Sequence, residues 1–185
     1  MNIESEITNY GLTTISERFN AVYNTDGCIG CAQSHLAILK LAKERGYKNV
    51  LILEDDFYFL VSKERMEAEL TQFFENRIEY DVCFLGYNLI KSEDMPSYPF
   101  IKRAVDVQTS SAYIVNNHYY DKLIDLYEWA IPELIRTKQH WNYAYDQAWK
   151  KYQVTDKWFF FTERIGKQRD GVSCISNQYI KDSHY

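Results

Sequence analysis

Three carboxylates in a row, Glu54-Asp55-Asp56, follow directly on the apolar run Asn49-Val50-Leu51-Ile52-Leu53. Acidic groups side by side at the end of a buried strand repel one another and are costly to desolvate, so a positive partner is expected. While the chain stays extended, Glu54 and Asp56 point to one face and Asp55 to the other. Two carboxylates on one side suit a hard divalent cation, Mg2+ or Mn2+. Such an ion takes one or two protein carboxylates and completes its shell with water and phosphate oxygens. It then neutralises a diphosphate leaving group as a Lewis acid. Taken alone, an acidic triplet is most often a solvated turn. The apolar run before it and Phe57-Tyr58-Phe59 after it favour the metal reading here.

The second chemistry-bearing stretch is Gly27-Cys28-Ile29-Gly30-Cys31-Ala32-Gln33-Ser34-His35. Its C-x-x-C spacing admits a redox or zinc reading, but zinc would want a second, similarly spaced pair, and Cys83 and Cys174 stand isolated. The glycines fit a tight backbone path into a following helix. Ser34-His35 is no nucleophile elbow, because no Gly-x-Ser-x-Gly surrounds it. A single His near a helix start is more often a structural hydrogen-bonder than a catalyst.

The elements that must position these residues are legible in outline. Short apolar runs at Asn49–Leu53, Asp81–Leu85, Ser111–Val115 and Lys157–Phe161 read as buried strands. Helical patterns lie between them. One runs from a Ser34 cap to about Arg45, with Gly46 just beyond its end. Another runs from a Ser62 cap to about Asn76, a third from Asn116 or Asn117 to about Ala130, and a fourth over Tyr143–Tyr152. The stretch Ser92–Pro99 reads as a loop. Strands alternating with helices predict an α/β domain with a mostly parallel central sheet, whose ligands sit outside the carboxyl ends of the strands.

The chain has 185 residues, the length of a single domain. Its 21 basic and 26 acidic residues give a net charge of −5, which argues against a nucleic-acid binder. No apolar run reaches the roughly 20 residues of a transmembrane helix. The acidic start, Met1–Glu6, has no signal-like apolar core, and four cysteines are too few for a disulfide scaffold. These features predict a cytoplasmic protein with free thiols. Aromatic residues are plentiful, with 16 Tyr, 10 Phe and 4 Trp, and serve equally for a core or for stacking on sugars.

The Gly27–His35 segment, then a helix, then Val50-Leu51-Ile52-Leu53-Glu54-Asp55-Asp56, resembles glycosyltransferase family 25. That family includes lipopolysaccharide-type and collagen galactosyltransferases, and its hallmark is a G-C-x-x-S-H helix start followed by a strand ending in L-E-D-D. Arg18–Val22 is similar to the family's run before the glycines, Thr109–Val115 to its small-residue-to-Tyr strand, and Tyr145–Trp149 to its single-Asp helix start. Gln168 with Ser173 and Ile175 is similar to its closing pattern, so the likeness covers about residues 18–175. The lead-in, residues 1–17, departs from it: the family's opening apolar strand, which helps hold the nucleotide, is shortened or missing.

The resemblance implies a GT-A-like fold, a nucleotide-diphosphate sugar donor such as a UDP-sugar, inverting transfer to a glycan or protein hydroxyl, and Mn2+ or Mg2+ at the acidic triplet. It makes Asp56 the first metal ligand, with Glu54 and Asp55 sharing metal or ribose contacts, and Ser34, His35 and Gln168 the candidates for holding the donor. Inverting transfer needs a base for the acceptor's proton. Asp146 is the candidate, following Trp141, Tyr143 and Tyr145, which could stack on an acceptor sugar; a simple helix cap is the alternative. Gln168 and Arg169 are also candidates for contacting phosphate or acceptor, with a surface loop residue the commoner reading of each. Two other functions stay open: a sugar- or nucleotide-binding module without catalysis, and a metal-dependent phosphohydrolase.

Overall fold

In the computed structural model, which describes residues 2–172 and 179–180, the central strands are apolar on both faces. The elements run α1 (Ile3–Asn9), α2 (Gly27–Glu44), β1 (Asn49–Leu53), β2 (Phe57–Phe59), α3 (Lys63–Glu75), β3 (Val82–Asp94) and β4 (Ile101–Asn116). They continue with α4 (Tyr120–Thr137), three single turns α5 (His140–Tyr143), α6 (Tyr145–Ala148) and α7 (Lys150–Gln153), then β5 (Trp158–Phe161) and β6 (Gly166–Gln168). Val82, Phe84, Tyr113, Val115, Trp158 and Phe160 pack on one side with Leu39 of α2 and Leu123 and Tyr127 of α4. Their neighbours Cys83, Leu85, Ala112, Ile114, Phe159 and Phe161 pack on the other with Phe57, Met66 and Phe73. Successive strand residues face opposite ways, so a sheet covered on both sides needs an unbroken apolar run.

The main sheet has the order β1-β4-β3-β5 and is mostly antiparallel. Among the described residues only β3 and β5 run parallel. The parallel sheet expected from the sequence is therefore corrected, and the reason is physical. Continuous apolar runs signal burial on both faces, which parallel sheets normally show. This antiparallel sheet has helices on one face and β2 with α3 on the other, so it writes the same pattern.

The expected loop over Ser92–Pro99 is likewise partly strand. β3 continues to Asp94, and β4 begins at Ile101, ten residues before the expected strand. This outer arm of the hairpin is polar. Cross-strand pairs Arg103–Glu93 (2.7 Å) and Lys102–Asp94 (2.9 Å) accompany its ladder, so no apolar run marks it in the sequence.

The helix expected to start at Ser34 starts two turns earlier. Asp26 caps it, accepting from the N–H groups of Cys28 and Ile29. The Ser62 cap is as expected, accepting from Arg65 N–H. The helix expected over Tyr143–Tyr152 is three separate turns. Among the described residues no strand precedes β1, so β1 has β4 as its one ladder partner. The segment between α1 and α2 is held against α2 instead. A Cβ on Gly30 would lie 2.8 Å from the Val22 carbonyl oxygen, so only glycine allows this approach. No helix among the described residues is long and apolar enough to cross a membrane.

Candidate active site

The acidic triplet sits where β1 ends, and the two sides of the turn send its members to different partners. Glu54 turns inward. Its Oε1 accepts from Ser110 Oγ at 2.5 Å and from the Tyr145 hydroxyl at 3.1 Å, and lies 3.3 Å from His35 Nε2. The Ser110 and Tyr145 hydroxyls also hydrogen-bond each other. Burial opposes the charge on Glu54, but His35, Ser110 and Tyr145 outweigh it and hold its pKa below the usual value. His35 is 3% exposed and pairs through Nδ1 with the Tyr113 hydroxyl at 2.7 Å. Burial acts to lower its pKa, yet contacts with Cys31 and Glu54 raise it to about 9.

Asp55 is exposed. Asp56 is half-buried and faces β6. Phe57 pairs with Gln168 in the β2–β6 ladder, and Arg169 N–H donates to the Asp56 carbonyl at 2.8 Å. That register brings Gln168 Nε2 to 2.6 Å from Asp56 Oδ2. The other oxygen, Oδ1, is buried with no hydrogen-bond partner. Burial first, then the nearby Glu54 and Asp55 charges, push the Asp56 carboxyl up to about 6, against the pull of Gln168. A buried carboxylate oxygen without a partner is costly and fits an electropositive ligand. Asp56, through its unpartnered Oδ1, and the exposed Asp55 offer the hard oxygen donors that suit a divalent cation. Glu54, expected to share that role, is committed to the interior.

Asp146 lies on α6, and its role as a helix cap is not realised. The N-cap position is Ala144, and no side chain caps the turn. Asp146 Oδ2 instead accepts from Thr109 N–H of β4 at 3.4 Å and from Gln147 Nε2 at 3.2 Å. Its neighbour in β4, Ser110, serves Glu54, so two consecutive strand residues tie the two carboxylates together. Thr109 has φ +77°, a left-handed conformation costly for a β-branched residue and one that concentrates at functional sites. Burial raises the Asp146 pKa although Thr109 and Gln147 favour its charged form.

The family model of glycosyltransferase family 25 (LPS biosynthesis protein) matches residues 14–149, well over half of the chain. The chain belongs to glycosyltransferase family 25. No curated protein matches it. Family membership makes it a glycosyltransferase, an enzyme that passes a sugar from donor to acceptor.

The remaining expected residues of this glycosyltransferase divide clearly. Ser34 is not in the site: its hydroxyl donates to Gly30 O at 2.7 Å and accepts from Val22 N–H at 2.8 Å, pinning the segment before α2. Arg169 is ion-paired with Glu6 of α1 at 3.0 Å and lies over the Tyr58 ring. Of the three expected stacking aromatics, Trp141 is 70% exposed, Tyr143 meets Trp129, and Tyr145 is 3% exposed and belongs to the Glu54 network. Cys28 is buried, and burial pushes its thiol up to about 11, which makes it unreactive. Cys174, Ser173 and Ile175 lie outside the described residues. Sequence reasoning missed Ser110 and Tyr145 as partners of Glu54, and Tyr113 as the partner of His35. Their only signal was the likeness of Thr109–Val115 and Tyr145–Trp149 to family segments, because the contacts join residues far apart in the chain.

Proposed function

We propose that this glycosyltransferase moves a hexose, of galactose or glucose type, from a UDP-sugar to a glycan or protein hydroxyl with inversion at the anomeric carbon. The observation that carries the reading is the unpartnered, buried Oδ1 of Asp56 at the end of β1. Asp56 and Asp55 are the residues that would hold Mn2+ or Mg2+. Bound there, such an ion would offset the charge of the departing diphosphate. Gln168 holds the Asp56 carboxylate through Oδ2 and leaves Oδ1 without a protein hydrogen-bond partner. Asp146 is the proposed base: Thr109 and Gln147 occupy Oδ2, and the burial-raised pKa makes the carboxylate a better proton acceptor. As the acceptor oxygen bonds to the anomeric carbon, the bond from that carbon to the diphosphate oxygen breaks, and the acceptor's proton passes to Asp146. The fold is read as a shortened GT-A arrangement, with β1 as the strand that delivers the acidic turn.

One observation favours a second reading, a binding module without turnover. β1 has a single ladder partner, so the strand expected to support the nucleotide is missing among the described residues. A transfer assay separates the two. With Mn2+, a panel of UDP-sugars and hydroxyl acceptors, the wild-type chain forms glycoside and Asp56→Asn loses at least ~100-fold of that rate. An equal rate in Asp56→Asn removes Asp56 from the mechanism. Donor binding with no transfer to any acceptor selects the binding module.

A further inference from the structure

Cys31 and His35 are one helical turn apart on the buried side of α2, and Glu54 meets them from the end of β1. One ligand atom from each, a thiol sulfur, an imidazole nitrogen and a carboxylate oxygen, lie within 4.8 Å of one another. His35 Nε2 and Glu54 Oε1 are 3.3 Å apart, long for a charge-assisted hydrogen bond, which settles at ~2.7–2.9 Å. It is the separation of two ligands on one tetrahedral ion, ~3.3 Å for metal–ligand bonds of ~2.0–2.1 Å. The His35 ring is already oriented for this. Its Nδ1 is engaged by Tyr113, which leaves Nε2 as the coordinating nitrogen, the outer-partner pattern of metal-bound histidines. The Tyr145 hydroxyl closes the fourth side, 3.4 Å from Cys31 Sγ and 3.1 Å from Glu54 Oε1.

We propose that Cys31, His35 and Glu54 form a metal centre of the zinc class, separate from the oxygen pair Asp55–Asp56. The softness of the donors makes the distinction. A thiolate and an imidazole select Zn2+ or Co2+, whereas Mg2+ and Mn2+ prefer all-oxygen shells. The centre is a structural clamp that ties α2 to the strand whose end carries Asp55 and Asp56. It does not depend on the proposed donor or acceptor.

The test uses the full chain, stripped of metal and titrated with Co2+. The expected result is a thiolate-to-cobalt charge-transfer band with tetrahedral visible absorption, saturating at one ion per chain and abolished by added Zn2+. Cys31→Ser loses the charge-transfer band, while Cys174→Ser and Asp56→Asn keep it. Absence of the band in the wild-type chain at saturating Co2+, or its survival in Cys31→Ser, overturns the proposal. So does its loss in Cys174→Ser. If Cys31→Ser does not fold, site-resolved alkylation of the wild-type chain decides: Zn2+ slows labelling of Cys31 and Mg2+ does not, and equal labelling with and without Zn2+ overturns the proposal. Because Asp56→Asn is silent in the cobalt readout, failure here is distinct from failure of the transferase mechanism.

Discussion

Asp56 concentrates the conflict between stability and function. Its ordinary pKa of 3.8 is raised to about 6, chiefly by burial, so folding disfavours its ionised form. For an acid shifted upward the sign is fixed: the destabilisation is absent below the unfolded pKa and complete above the folded one. Asp56→Asn keeps the shape and the Gln168 contact but removes the charge. It is therefore more stable than the wild type at pH 7–8 by at most about 3 kcal/mol, with the gap closing between pH 6 and 4. Urea midpoints across that range, without divalent ion, check this; a gap that ignores pH contradicts it. Asp146 makes the complementary prediction. Asp146→Asn removes the proton acceptor and preserves the Thr109 contact, so kcat falls ~100- to 10,000-fold with KM nearly unchanged. Steady-state kinetics that show the loss in KM instead would make Asp146 a binding residue. The place of Asp56 at the end of a strand was legible in the sequence, because charge and strand-end position are local properties, whereas Asp146 was a candidate only through the family resemblance. The inward turn of Glu54 was not legible, since it depends on Ser110 and Tyr145, 56 and 91 residues away.

At the scale of elements, what holds Asp56 to Gln168 is the short β2–β6 ladder, and that ladder rests on one glycine. Gly166 faces Phe59, and a Cβ there would lie 2.2 Å from Phe57 Cζ. Gly166→Ala must displace either the ring, which is fully buried, or the strand. The expected cost is about 1–3 kcal/mol, with the Gln168–Asp56 contact loosened and Mn2+ affinity reduced in parallel. Thermal unfolding and a metal titration of the same variant check it. Unchanged values for both would mean that β6 does not position Gln168. The strands and caps visible in the sequence were those with a local cause: Asn49–Leu53 from its apolar run, the Ser62 cap, and Gly46, at φ +66°, just past α2. Those missed had a distant one. The outer arm of the β3–β4 hairpin is stabilised by pairing and ion pairs across the turn. The direction of the strands depends on connections that apolar patterning does not encode. The start of α2 lay hidden because Asp26 precedes a glycine-rich, small-residue turn, whereas Ser34 resembles a cap while its hydroxyl serves Gly30 and Val22.

Across the whole molecule, the sheet is clamped between two apolar layers, and β1 is its edge toward the acidic turn. The polar link between α2 and that edge is the His35–Glu54 pair, so the link between layer and site is pH-dependent. In the metal-free chain the His35 pKa is raised from 6.5 to about 9, and Glu54 is held below its usual 4.5. A base raised on folding contributes stability that is complete below its unfolded pKa and lost as pH climbs through the folded one. A lowered acid contributes stability that is present above its unfolded pKa and lost on acidification. The pair therefore stabilises most between about pH 4.5 and 6.5 and fades toward pH 9. His35→Gln removes this contribution, on the order of 2 kcal/mol at pH 6, and the deficit shrinks as pH approaches 9 because the wild type has by then lost it as well. Unfolding midpoints of the two proteins at pH 6, 7, 8 and 9 with chelator present measure it. A deficit of constant size over that range would mean that His35 acts through packing against Tyr113 and Tyr145 alone, and that no charge joins α2 to the end of β1.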